Sequence, residues 1–263
     1  KNDKPFFIAV GFRKPHLPFI APKKYWDLYD KNEISLPSNN FFPPSAPQKA
    51  NYFYELRKFT DIPGKGPITE SKAKELIHAY YACVSYIDAQ IGLILAELDN
   101  QGLSDNTTVV LTSDHGFSLS EHGRWSKHNL FQYELKIPMI ISSPKYKKNK
   151  TSESFVELVD LYPTFCDIAG LEIPDFAQGK SLIGNLKNPK KITSDIAFSR
   201  WQNGETLISS KYYYTEWSRK GSLTHRMLYD IENDELQMNN IAEIKSNKPI
   251  VDSLSIILNK HIK

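Results

Sequence analysis

Cysteine is scarce in this chain. Cys83 and Cys166 are the only two among 263 residues, and neither has a second cysteine or a histidine at zinc-site spacing. Both lie in apolar helical stretches and read as small buried hydrophobes, so the count leaves the redox compartment open. An excess of charge of either sign is also missing. A net charge of +3 is too small to point to nucleic acid or an anionic membrane surface as a partner. The basic run Lys145, Lys147, Lys148 and Lys150, with Tyr146 as its one aromatic, reads as a solvated loop. No apolar run reaches bilayer-spanning length, so no membrane span is expected. A signal peptide is lacking too: Lys1-Asn2-Asp3-Lys4 leads into apolar residues with no cleavage-like site, an opening with the look of a cut into something larger.

What remains is the composition of an ordinary globular protein, long enough for one large domain or one domain plus a smaller one. "FFIAVGF" (6–12) reads as a fully buried strand. In "RKPHLPF", Pro15 and Pro18 flank His16 and make a rigid extended loop. Residues 31–68, rich in Pro, Asn and Ser, read as a long surface excursion. Apolar residues at three- and four-residue spacing predict a helix from Glu70 to Leu98, with Thr69 as N-cap and Gly102 closing it. "TTVVLTSD" (107–114) and "PMIISSP" (138–144) read as buried strands, and "SFVELVDLYPTFCDIAG" (154–170) as a helix kinked near Pro163. Beyond Lys190 come short aromatic and β-branched segments, with Asn203-Gly204 as a hairpin signal. The expected architecture is α/β: part of a mixed sheet flanked by helices over 1–190, then a smaller antiparallel sheet over 191–263.

Chemistry-bearing residues gather after the strand at 107–114. Asp114 and His115 follow it at once, where open α/β sheets bind ligands. A hard carboxylate oxygen beside an imidazole nitrogen suits a divalent metal, while the same Asp-His-Gly triplet also reads as a strand-end turn. Gly116 frees the backbone to turn away. Lys127 and His16 are residue types that hold an anion or protonate a leaving group, although each alone also reads as an ordinary surface or loop residue.

The segments "KPFFIAVGFRKPHLPF", "YYACVSYIDAQIGLILAELDNQGL", "TSDHGFSLSEHGRWSKHNLFQYELKIPMII", "ELVDLYPTFCDIAGLEIP" and "KYYYTEW…LYDIENDELQMNNIA" occur in one order along nearly the whole chain. In that order they resemble the C-terminal part of the type I sulfatases of the alkaline-phosphatase-like superfamily, and within them the iduronate-2-sulfatase branch. The resemblance implies Asp114 and His115 as metal ligands for calcium, Lys127 as a contact of the sulfate group, and His16 as a contact of the bridging oxygen that protonates the leaving alcohol. Many sulfatases carry Asn where His115 stands, and the Asp-His pair is also similar to that of phosphonate and phosphodiester hydrolases. His122, Arg124 and His128 stand in the matching stretch as substrate contacts or as fold residues. Trp201 and Arg200 are either a pocket rim or a cross-strand packing pair.

The nucleophile is missing from this pattern. Sulfatases of this type use a formylglycine made from Cys or Ser in a Cys/Ser-x-Pro/Ala-x-Arg motif; neither cysteine fits, and Ser45 in "SAPQK" lacks the arginine. One Asp and one His are also too few for calcium, which takes six to eight ligands. The expectation is therefore half an active site, completed by a separate N-terminal sulfatase polypeptide that carries the formylglycine. The implied substrate is a sulfated uronic acid or related sugar of a polysaccharide such as a glycosaminoglycan. The implied setting is periplasmic or extracellular, or lysosomal in a eukaryote. The alternatives are a phosphate or phosphonate ester hydrolase and a non-catalytic carbohydrate-binding remnant.

Overall fold

The computed structural model describes residues 4–52, 55–125, 127–146 and 149–262; Lys147 and Lys148 of the basic run lie outside the described residues. Contacts gather the chain into two compact units, Lys1–Leu36 with Leu56–Leu103 and Pro37–Glu55 with Ser104–Lys263. The division drawn from composition at 190/191 falls inside the second unit.

The first unit holds a short helix α1 (Lys23–Trp26) and the long helix α2 (Glu70–Asn100). The Thr69 hydroxyl accepts the Lys72 N–H at the start of α2. At its end Gly102 (φ 66°) and Leu103 donate to the Asp99 and Leu98 carbonyls, a Schellman closure. The N-terminal half buries Ala73, Leu76, Ile77, Ala79, Ala82 and Cys83. Residues of the 17–29 stretch cover it through ring contacts, Phe19 on Tyr80 and Tyr25 on Tyr86. The C-terminal half leaves Leu93, Ile94 and Leu95 exposed. By length and composition alone α2 is long and apolar enough to cross a membrane, a test that core helices of soluble proteins also pass. The strand expected over 6–12 is corrected: the stretch pairs with no strand among the described residues and lies open, with Phe7 75% and Ile8 69% exposed. Apolar, β-favouring residues make a strand only where another strand takes up the backbone N–H and C=O groups.

The second unit contains, in chain order, β1 (Val109–Thr112), α3 (Gln132–Leu135), β2 (Met139–Ser142), α4 (Leu161–Ala169), α5 (Ile183–Lys187), β3 (Ile196–Trp201), β4 (Gly204–Ser209), β5 (Tyr212–Arg219), β6 (Ser222–Asp230) and α6 (Lys248–Ile262). β1 and β2 pair antiparallel, Val109 opposite Ser142 and Thr112 opposite Met139. They are less covered than expected, with Leu111 and Ile140 exposed. The helix expected over 154–170 begins only at Leu161, because Pro163 stands in its first turn, where the missing N–H costs no helical bond. There is no kink.

β3–β4–β5–β6 form one antiparallel sheet covered on both faces. Trp217, Met227 and Tyr229 face a core with Ala46, Ala50, Leu130 and Phe131. The intervening residues Tyr214 and Leu228, with Leu207, face a second core with Val251, Leu254 and Leu258 of α6. The 31–68 segment is thus more than a surface excursion: Ala46 and Ala50 belong to the first of these cores. The β3–β4 turn is Gln202-Asn203, since Trp201 pairs with Gly204. Gly204 is needed for space: a Cβ there would lie 2.5 Å from Trp217 Nε1 and 2.7 Å from Leu130 Cδ1. Both neighbours are buried, so Gly204→Ala is expected to destabilise the protein by about 1–3 kcal/mol, read as a lower denaturant midpoint.

Candidate active site

The strand-end pair follows β1. Asp114 is open, its side chain 86% exposed, and His115 is 33% exposed with Nε2 3.6 Å from Asp114 Oδ2. His115 Nδ1 is 2.7 Å from the Gly116 carbonyl oxygen. A carbonyl only accepts, so Nδ1–H donates to it and Nε2 is the nitrogen on the Asp114 side. Ser113 Oγ donates to the His115 carbonyl at 2.6 Å and steadies the turn. Gly116 serves a different end from the one expected. A Cβ on it would meet the Tyr133 carbonyl oxygen at 2.1 Å, while its N–H donates to the Glu134 carbonyl at 2.9 Å. The glycine lets the strand end press onto α3. Among the described residues no group of three or more His, Cys, Asp or Glu is placed to hold a metal.

His16 lies in the first unit, in a loop whose Lys14–Pro15 and Leu17–Pro18 peptide bonds are cis. Lys14 Nζ donates to the His16 and Pro18 carbonyls across it. His16 Nδ1 is 2.7 Å from the Leu17 carbonyl, so Nδ1–H donates to it.

Lys127 and His128 form a cluster with two residues that sequence reasoning missed, Glu55 and Tyr52. Lys127 Nζ donates to Glu55 Oε1 at 2.6 Å, and the two side chains are 14% and 15% exposed. His128 Nδ1 lies 3.7 Å from Glu55 Oε2. The His128 ring meets Tyr52 edge-on (5.1 Å between centroids) and Trp201 at a tilt (4.7 Å). Trp201 therefore touches the cluster and also packs on the sheet core. Arg200 makes the cross-strand pair, donating to its register partner Glu205. Glu55 and Tyr52 sit in a stretch without period or motif, so no sequence signal marked them.

His122 and Arg124 are fold residues, and substrate contact is set aside for both, since each is 1% exposed. His122 Nε2–H donates to the Leu236 carbonyl at 2.7 Å and its N–H to the Asn39 carbonyl at 2.7 Å. Its ring lies against Phe131 and Tyr133. These ties hold it at φ 52°, a conformation side chains rarely adopt. Arg124 donates to Glu134 Oε1 at 2.6 Å and to the Ala50 carbonyl at 3.1 Å. Ser118 Oγ donates to the same carboxylate oxygen. Burial pushes the Glu134 carboxyl up and the Arg124 guanidinium down, and each is drawn back by the other's charge.

The family model described as Sulfatase matches residues 1–171, and that described as N-sulphoglucosamine sulphohydrolase, C-terminal, matches 120–263. The chain belongs to the sulfatase family. It is 30% identical over 271 residues to a sulfatase of Formosa agariphila, across 99% of this chain and 51% of that protein. It is 34% identical over 205 residues to iduronate 2-sulfatase of Mus musculus, across 66% of this chain and 37% of that protein. A phosphonate monoester hydrolase from Silicibacter pomeroyi shares the fold, with a TM-score of 0.82 at 24% identity over 94% of this chain and 54% of that one. The chain spans about half the length, or less, of the curated relatives it matches. The expected α/β class with a separate antiparallel sheet is the sulfatase architecture found here.

Two outcomes follow from the buried residues. Removing one partner of the Arg124–Glu134 pair, as in Arg124→Ala, is expected to cost about 3–5 kcal/mol of unfolding free energy in denaturant titrations. Burial lowers the His122 pKa from 6.5 to about 4. Below 6.5 the unfolded chain takes up a proton that the folded chain refuses, so stability is complete above that pH and falls as pH drops towards 4. The loss amounts to about 3 kcal/mol, and in stability measured against pH the His122→Gln protein should lack this slope.

Proposed function

We propose that this sulfatase-family chain is part of a sulfuric-ester hydrolase that removes sulfate from a sulfated uronic acid or related sugar of a polysaccharide. The observation that carries the reading is the strand-end pair: an exposed carboxylate beside an imidazole whose Nδ1–H is tied to the Gly116 carbonyl. Both matching family models and the iduronate 2-sulfatase relative support the sulfate-ester class. The fold alone does not choose the ester, since a phosphonate monoester hydrolase shares it.

Asp114 and His115 fit a divalent metal as two donors of its shell, one hard oxygen and one neutral nitrogen, with calcium as the family's metal. The remaining ligands and the formylglycine are assigned to an N-terminal sulfatase polypeptide or segment outside these 263 residues. That assignment is supported by the share of the relatives spanned and by the exposed apolar residues Phe7 and Ile8. When bound, the metal would supply fixed positive charge against the ester oxygens, and the formylglycine a covalent nucleophile. Lys127 would donate N–H bonds to the non-bridging sulfate oxygens. His16, entering as the imidazolium with Nδ1–H tied to Leu17, would give its Nε2 proton to the bridging oxygen as the alcohol leaves and be left neutral. His128 and Trp201 would border the sugar.

The test is turnover of an aryl sulfate and a sulfated sugar by the complete protein. Lys127→Ala should lower kcat/KM by about 10²–10³-fold. His16→Ala should lower kcat by about 10²–10⁴-fold on the sugar sulfate and less on the aryl sulfate, whose phenol leaves without help. Chelation should abolish activity, with calcium compared against manganese and zinc in restoring it. Unchanged turnover in both variants would sink the assigned roles. A preference for the matching aryl phosphonate would move the protein to the phosphonate class, and hydrolysis of neither ester would make it a carbohydrate-binding remnant.

A further inference from the structure

We propose that Glu55 is a positioning residue of this site: its carboxylate braces the Lys127 ammonium and faces His128, so that two adjacent side chains form one preorganised anion-binding edge. The inference rests on the sulfate-holding role given to Lys127 above.

Glu55 meets both side chains, Oε1 lying 2.6 Å from Lys127 Nζ and Oε2 3.7 Å from His128 Nδ1. The backbone around them is pinned as well. Asn129 accepts the Leu130 N–H at 2.7 Å through its own amide oxygen, and its Nδ2 donates to the Ala50 carbonyl, tying the 127–130 turn to the segment that ends in Glu55. Tyr52, three residues before Glu55, and Trp201 of β3 fix the His128 ring from two directions.

A lysine on an open surface has rotamer freedom that an anion must overcome on binding; Lys127 is held before any ligand arrives. The carboxylate takes up one N–H of an ammonium that has three, leaving the direction of the others set by the brace. A competing role is a latch, in which Glu55 occupies Lys127 and must let go. The two roles differ in their effect on turnover: losing a brace lowers it, and losing a latch raises it.

Glu55→Ala and Glu55→Gln in the complete enzyme test the brace on an aryl sulfate. Glu55→Ala should lower kcat about tenfold or more while KM changes less than about threefold, because a misplaced group weakens the transition state more than substrate binding. Glu55→Gln, which keeps an acceptor oxygen for Lys127, should recover part of the loss, with turnover compared at a temperature where both variants stay folded. An unchanged kcat overturns the brace, and so does a rise in kcat/KM, the mark of a latch. A second readout needs no turnover: amine acylation of Lys127, followed by mass spectrometry against the exposed Lys65, should run several-fold faster in Glu55→Ala. An equal rate also overturns the brace. Faster labelling in an enzyme that hydrolyses no sulfate ester would instead discard the sulfatase reading and leave the contact standing.

Discussion

The ion pair between Arg124 and Glu134 joins the segments of the second unit that carry the site. Glu134 accepts from Arg124 and Ser118 through its carboxylate, and from Gly116 through its backbone carbonyl. Arg124 and Asn129 both donate to the Ala50 carbonyl. The turns at 114–116 and 127–130 and the 37–55 segment are therefore held by one buried polar network. Such a pair adds little net stability, since its desolvation offsets most of the attraction. Its effect is to make one arrangement of these three segments far better than its neighbours, because any shift strands a charge in the core.

The antiparallel sheet has a comparable part. With α6 over one face and the 37–55 and 130–131 residues over the other, its strands are apolar on both sides. One face also reaches the site, for Trp201 packs in that core and meets the His128 ring. Gly204, opposite Trp201, leaves the room that Trp217 and Leu130 fill.

Three histidines show how the same side chain is put to different ends. His16 and His115 each place Nδ1 against the carbonyl of the following residue, a contact made within two adjacent residues. His122 donates from Nε2 to a carbonyl more than a hundred residues away and is sealed in the core. All three stand in short motifs of similar look, and no feature of "EHGRW" separates a buried anchor from a ligand contact. Burial depends on what folds over the turn, here Asn39, Phe131, Tyr133 and Leu236.

Local pattern sufficed wherever the interaction that decides an element is itself local. Helical spacing, the Thr69 cap and Gly102 placed α2 almost to the residue, and alternation with turn residues placed β3 to β6. Ordered motifs identified the family and brought forward Asp114, His115, Lys127 and His16. Tertiary structure decided the rest. Residues 6–12 remain outside a sheet because strands need a partner, whatever their propensity. Gly116 and Gly204 are required by backbone and side chains distant in sequence. Glu55 and Tyr52 join the site only because the chain folds the 37–55 segment against residues more than seventy positions on, a contact that no spacing within either segment encodes.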